Sequence, residues 1–166
     1  HGVYAQRYDV NGVPQGSEFR VNTYTTNSQQ TASITALSNG GFVVSWMSSG
    51  QDGSGYGIYA QRYDVDGVPQ GSEFRVNTYT TSSQQNASVT ALSSGGFVVS
   101  WHSNGQDGSG LGIYAQRYDV NGTAQGSEFK VNTYTAGSQQ NASVTALSNG
   151  GFVVSWESLS QDGSGN

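Results

Sequence analysis

The sequence predicts an all-β protein made of three near-identical copies of one four-stranded antiparallel unit, and three observations carry that expectation. Tyr4, Tyr59 and Tyr114 are spaced 55 residues apart, and so are Trp46, Trp101 and Trp156. Laid over one another, 41 of the 55 columns are identical in all three copies, so whatever one copy does the chain does three times. Short period-2 runs separated by Gly, Ser and Asn turns fill each copy, and nothing recurs at a helical apolar period.

The repeats run 2–56, 57–111 and 112–166, leaving His1 outside. Reading from the second copy into the third, residues 87–92 form a short first strand ended by Ser93-Ser94-Gly95-Gly96. Residues 97–101 follow, with Phe97, Val99 and Trp101 on one face; the Gly pair supplies the positive φ of a tight hairpin. After the loop 103–110, residues 113–119 make the third strand, with Tyr114, Gln116 and Tyr118 on one side. The turn Val120-Asn121-Gly122 then leads to a fourth strand over 128–133.

Four meandering strands repeated at this length suit a β-propeller blade, whose aromatic faces must be covered by neighbouring blades. A β-trefoil is the alternative, since it too has three copies of four strands. With blades beginning at Ala32 and Ala87, two blades are complete (32–78 and 87–133). A split blade then remains, its outer half at 3–23 and its inner half at 142–156. Two such halves belonging to different chains are expected to complete one another head to tail, giving a ring if the rotation closes and a filament if it does not.

Composition narrows the function class. Charged residues make up only 10% of the chain, so the surface is built mostly from Ser, Thr, Asn, Gln and Gly. The 19 aromatic residues at fixed positions argue for a packed core rather than disorder. A net charge of −5 with no basic cluster excludes a nucleic-acid partner. No apolar run is long enough for membrane insertion, and without cysteine there are neither disulfides nor thiolate metal sites. The chain reads as mature protein or as a segment of a longer one.

Three strings stand out: Gly-Gly-Phe-Val-Val-Ser-Trp, then Gly-Gln-Asp-Gly-Ser-Gly-x-Gly-Ile-Tyr-Ala-Gln-Arg-Tyr-Asp, then Gly-Ser-Glu-Phe-x-Val-Asn-Thr. Together they resemble a tandem repeat of very large bacterial surface and secreted proteins similar to hemolysin-type calcium-binding (RTX) adhesins. The resemblance covers all three copies. It implies an extracellular or cell-surface location and a role in adhesion or matrix, and it brings no catalytic residues. The Gly-Gly-x-Gly-x-Asp calcium nonapeptide of that class does not occur in this sequence.

Residue by residue, the chemistry points away from catalysis. His1, His102 and Lys130 do not recur between copies, so no Ser/His/Asp set is repeated from copy to copy. The recurring carboxylates are Asp9/64/119, Asp52/107/162 and Glu18/73/128. In the Gln-Asp-Gly-Ser-Gly loops, Asp52, Asp107 and Asp162 are the candidate Ca²⁺ ligands, set against a plain glycine-rich turn in which Asp bonds its own backbone. Tyr24, Tyr79 and Tyr134 follow the last strand of each copy and are the rings expected to lie exposed for stacking on glycans. Trp46/101/156, Phe42/97/152 and Tyr4/59/114 are expected in the core. Arg7/62/117 are expected to bridge to a carboxylate along or between blades. Tyr56, Leu111 and Asn166 share one variable column, and Met47, His102 and Glu157 share another, expected to face solvent. Sequons stand at Asn86, Asn121 and Asn141. The expectation is a non-enzymatic extracellular module that self-assembles, with a multivalent lectin-like binder as the alternative.

Overall fold

The computed structural model describes residues 1–163, so the end of the third repeat, with Asn166, lies outside the described residues. Among these residues there are strands and turns and no helix. The strands, in order, are β1 (Tyr4–Tyr8), β2 (Pro14–Arg20), β3 (Gln29–Ala36), β4 (Phe42–Ser49), β5 (Tyr56–Tyr63) and β6 (Phe74–Arg75). They continue as β7 (Gln84–Ala91), β8 (Phe97–Asn104), β9 (Leu111–Tyr118), β10 (Phe129–Lys130), β11 (Gln139–Ala146) and β12 (Phe152–Ser158). Two four-stranded sheets run β3-β4-β5-β6 and β7-β8-β9-β10; β1-β2 and β11-β12 are separate two-stranded sheets. Each four-stranded sheet is a consecutive antiparallel meander, and its faces pack on neighbouring sheets. That is the propeller arrangement rather than the trefoil.

The hairpins close where glycine is required. Gly40 and Gly95 hold φ of 86° and 92°. A Cβ on Gly41 or Gly96 would fall 2.2 or 2.1 Å from the carbonyl oxygen of Tyr63 or Tyr118 on the third strand. The first strands are longer than the sequence reading gave, because each carries a bulge: register shifts between Gln30 and Ser33, Gln85 and Ser88, and Gln140 and Ser143. At the bulges Thr31, Asn86 and Asn141 adopt φ of 54°, 53° and 55°. Asn takes this left-handed geometry readily, whereas the β-branched Thr31 holds it at a steric cost.

The fourth strand is shorter than 128–133. Val131 N–H still bonds the Ile113 carbonyl, but the Asn132 side chain then replaces the backbone, its Oδ1 accepting Ile113 N–H at 2.6 Å. Its Nδ2 donates to Tyr134 O and Gln139 Oε1. Asn77 makes the same bonds to Ile58 N–H, Tyr79 O and Gln84 Oε1. A buried amide therefore ends the strand and ties it to the next blade's first strand.

The core lies between sheets. Phe97, Val99, Trp101, Tyr114 and Tyr118 on one face of the second blade share a buried cluster with Val43, Met47, Ile58 and Ala60 of the first. Val44, Trp46, Tyr59 and Tyr63 cluster likewise with Val3 and Val21, which flank β1 and β2. Val98 and Ala115 cluster with Val144 of the β11-β12 sheet, with Phe152 and Val154 against them. Every blade thus shows an aromatic face to its predecessor and an aliphatic face to its successor.

This double burial corrects the expectation for one column. Met47 and His102 are buried at 7% and 4% exposure; only Glu157, on the uncovered β12, is exposed. A middle strand between two blades has no solvent face, so variation within its column does not signal a surface. The reverse correction applies to Tyr4, which is exposed, and to Phe152 and Trp156, which are half-buried. In each case no strand or blade among the described residues covers it as in the other copies.

Candidate functional site: the repeated seam between blades

Where two blades meet, the side chains that recur in all copies form a polar belt over the aromatic core. Glu73 takes the Gln51 amide on Oε1 at 2.6 Å and the Thr23 backbone N–H, from the preceding sheet, on Oε2 at 2.6 Å. One seam later Glu128 takes Gln106 Nε2 at 2.6 Å and Thr78 N–H at 2.5 Å. A carboxylate is the suitable group here, because its two oxygens accept from two blades at once through charge-assisted bonds. Tyr63 and Tyr118 send their hydroxyls back across the seam to the Val21 and Val76 carbonyls, at 3.2 and 3.4 Å. Phe42 and Phe97 stack on these rings at 4.9 Å, and Phe19 and Phe74 lean on them from the preceding blade.

The first strands are laced together by hydroxyls. Ser33 Oγ accepts Val89 N–H and Ser88 Oγ accepts Val144 N–H, both at 3.2 Å. Arg7 donates to the Asp66 carbonyl and Arg62 to the Asn121 carbonyl. The arginine partner is thus chiefly a backbone oxygen; among the described residues only Arg7 has a carboxylate as well, at a loose 3.9 Å from Asp66.

Burial sets the electrostatics. It pushes the Tyr59 hydroxyl up to about 12, with Asp52 adding to the shift and Arg75 opposing it. Tyr63 and Tyr114 are likewise raised to about 12 by burial first, and Tyr118 further still. His102 moves the other way, its pKa lowered by desolvation, and its Nδ1 has no hydrogen-bond partner. Burial thus favours the neutral forms of these tyrosines and of His102.

The expected ligand residues fall on successive blades and are not gathered into one site. Asp52 Oδ1 accepts Ser54 N–H and Asp107 Oδ1 accepts Ser109 N–H, both at 3.2 Å, each closing its own turn. Asp52 Oδ2 also receives the Asn77 amide at 3.4 Å, whereas Asp107 Oδ2 is buried without a hydrogen bond. Asp162 is exposed near the end of the described residues. Asp64 and Asp119 do not fold back to join these loops, since each caps its own turn with two backbone N–H bonds. Among the described residues no group of three or more His, Cys, Asp or Glu could hold a metal. Tyr24, Tyr79 and Tyr134 are half-buried rather than exposed, folded down beside the amides of Asn22, Asn77 and Asn132 that bond their carbonyls.

Sequence reasoning counted Glu18/73/128 among the carboxylates and missed the clamping role of Glu73 and Glu128, along with that of Gln51/106. The signal was their identity in every copy, but nothing in a single copy shows that the acceptor serves a neighbour. Along the first of these seams runs a crevice of about 480 Å³ walled by Phe19, Tyr63, Gln61 and Glu73, repeated one blade on by Phe74, Tyr118, Gln116 and Glu128.

No family model matches the chain, and no curated protein matches it. A solved structure of a thermostable family-43 glycoside hydrolase superposes on it with a TM-score of 0.56 and 12% identity, over 97% of this chain and 62% of that one. The chain therefore spans less than two thirds of that enzyme's length. At this identity the likeness shows the fold, which is propeller-like and all-β.

Proposed function

We propose that the chain is a non-enzymatic extracellular module of a bacterial surface or secreted protein, serving adhesion, matrix or filament structure by joining blade to blade with further copies. The observation that supports this reading is that both outer faces of the stack present residues that are buried at the internal seams. Tyr8 is 62% exposed where Tyr63 and Tyr118 are 2% and 5%, and Val153 is 47% exposed where Val43 and Val98 are fully buried. Stacking a further blade on either face removes that apolar surface from water. The recurring polar groups favour structure over catalysis: Glu73 and Glu128 are engaged on both oxygens, and the turn aspartates bond their own backbone. The glycoside hydrolase likeness carries its fold and no residues.

Sedimentation velocity from about 1 to 100 micromolar, a range that captures weak assembly interfaces, tests the reading. The mass should rise from the 17.4 kDa monomer to multiples of it. A single 17.4 kDa species throughout would contradict it. A second reading, a multivalent carbohydrate binder, is supported by the repeated aromatic and amide-lined crevice. Signal on a glycan array from the unassembled chain would favour it; a blank array would leave the structural role.

A further inference from the structure

We propose that β12 of one chain is completed by β1 of a second copy, in one defined register, while the β11-β12 hairpin seats in a trench on that copy. This rests on the reading that the module joins copies, and adds the partner strand, its direction and its register.

Inside the chain, the second and third strands of a blade pair as Phe42↔Tyr63, Ser45↔Ala60 and Trp46↔Tyr59, then again as Phe97↔Tyr118, Ser100↔Ala115 and Trp101↔Tyr114. β12 has the second-strand residues Phe152, Ser155 and Trp156 and pairs only with β11. β1 has the third-strand residues Tyr8, Ala5 and Tyr4 and pairs only with β2. The same pairing rule therefore puts Phe152 opposite Tyr8, Ser155 opposite Ala5 and Trp156 opposite Tyr4 of the second copy.

Gly151 supports the match. In the two complete blades its counterparts must be glycine because a third-strand carbonyl lies against them, whereas Gly151 has only the Asn149 and Leu147 side chains nearby. Its backbone leaves open the place that the third-strand carbonyl takes beside Gly41 and Gly96.

The trench is also present. Ala5, Arg7, Ile34, Ala36 and Phe42 line an apolar hollow of about 330 Å³ beside the β1 edge. Ile34 on its wall is 60% exposed, although Val89 and Val144 in the same column are 6% and 7%. What covers Val89 and Val144 is the preceding blade's first strand, so the first strand that fits over Ile34 is β11. Ser143 Oγ would then accept Ile34 N–H, as Ser33 and Ser88 accept Val89 and Val144 N–H. Tyr8 would reach the Val131 carbonyl, and Glu18 would take Thr133 N–H with the Gln161 amide, repeating the internal clamps. Glu157 alone is out of keeping: it occupies the column of buried Met47 and His102 and would enter the new seam charged.

The chain has no cysteine, so engineered pairs report cleanly. Ser155→Cys chains are mixed with Ala5→Cys chains under mild oxidation. A parallel mixture of Ser155→Cys with Tyr8→Cys, three positions out of register, serves as control. The in-register pair should give a disulfide-linked dimer in about tenfold higher yield, since Cα separations beyond about 7 Å cannot be bridged. Val153→Cys with Arg7→Cys, matching Val43↔Arg62 and Val98↔Arg117, supplies a second in-register pair should one variant fold poorly. Glu157→Met should tighten association severalfold. Association with no enrichment of either in-register pair, or with Ser155→Cys joining only to itself, would overturn the proposed strand pairing and leave the module's self-association standing. No association at any concentration would overturn both.

Discussion

Replacing Glu128 and Glu18 by alanine, one at a time, separates the seam from the rest of the surface. Each change removes one negative charge from a chain of net charge −5, so long-range charge effects cancel in the comparison. Glu128 accepts two short bonds, from Gln106 Nε2 at 2.6 Å and Thr78 N–H at 2.5 Å, and is half-buried. Hydrogen bonds to a charged group contribute about 1.5–3 kcal/mol each when buried. Solvent access at this site lowers the pair to roughly 1.5–3 kcal/mol in total. For a domain of this size that is a fall in Tm of about 4–10 °C. Glu18 is exposed and accepts no hydrogen bond among the described residues, so in dilute monomer its loss should stay within about 0.5 kcal/mol. The assay is thermal unfolding by circular dichroism at sub-micromolar concentration. Equal losses at the two sites, or a loss at Glu128 below about 0.5 kcal/mol, would refute the clamp.

Four further outcomes follow from the same structure. Thr31→Asn copies the residue found at the left-handed bulge in the other two copies and should stabilise by about 1 kcal/mol, read as a higher denaturant midpoint. His102 has its folded pKa depressed by burial, so its contribution is present above its unfolded value of about 6.5 and is lost as pH falls. His102→Met should therefore flatten the decline of Tm between about pH 7 and 4. Tyr59, Tyr63 and Tyr114 are raised to about 12, so their contribution is complete below about pH 10 and is lost as pH climbs through that range. Phenolate absorbance from these three rings should accordingly appear together with unfolding, and titration of all ten tyrosines in a still-folded chain near pH 10 would contradict the burial. Finally, if Ca²⁺ binds at Asp52, Asp107 and Asp162, excess chelator should lower Tm by mass action, and an unchanged melting curve removes the ion from the account.

The fold was largely legible because its signals are local and repeated. Phe97, Val99 and Trp101 alternate on one strand, Tyr114, Gln116 and Tyr118 on the next, and Gly95-Gly96 can only be a tight turn. What stayed hidden depends on neighbours the pattern does not describe. Met47, His102 and Glu157 read as a surface column because period-2 logic allots one face to solvent, whereas a middle blade strand has none. Asn77 and Asn132 read as ordinary strand residues, yet their amides end the fourth strand and tie it to the next blade. Tyr24, Tyr79 and Tyr134 read as exposed rings, and the seam folds them half under. Glu73 and Glu128 recur visibly, but only the stacked blades show that one carboxylate spans two of them.

Amide hydrogen exchange across a concentration series tests most directly whether the outer faces are seams awaiting another copy. β1 and β12 are edge strands in the isolated chain, so their free amides should exchange fast at sub-micromolar concentration and become protected as the chain associates. Protection in β4, β5, β8 and β9 should not change. Protection that rises with concentration on those two edges, and on the Ile34 and Thr133 amides that the second copy engages, is the result this account predicts. Edges that exchange at the same fast rate at every concentration, or protection that appears only away from these edges and the Ile34 and Thr133 amides, would contradict it.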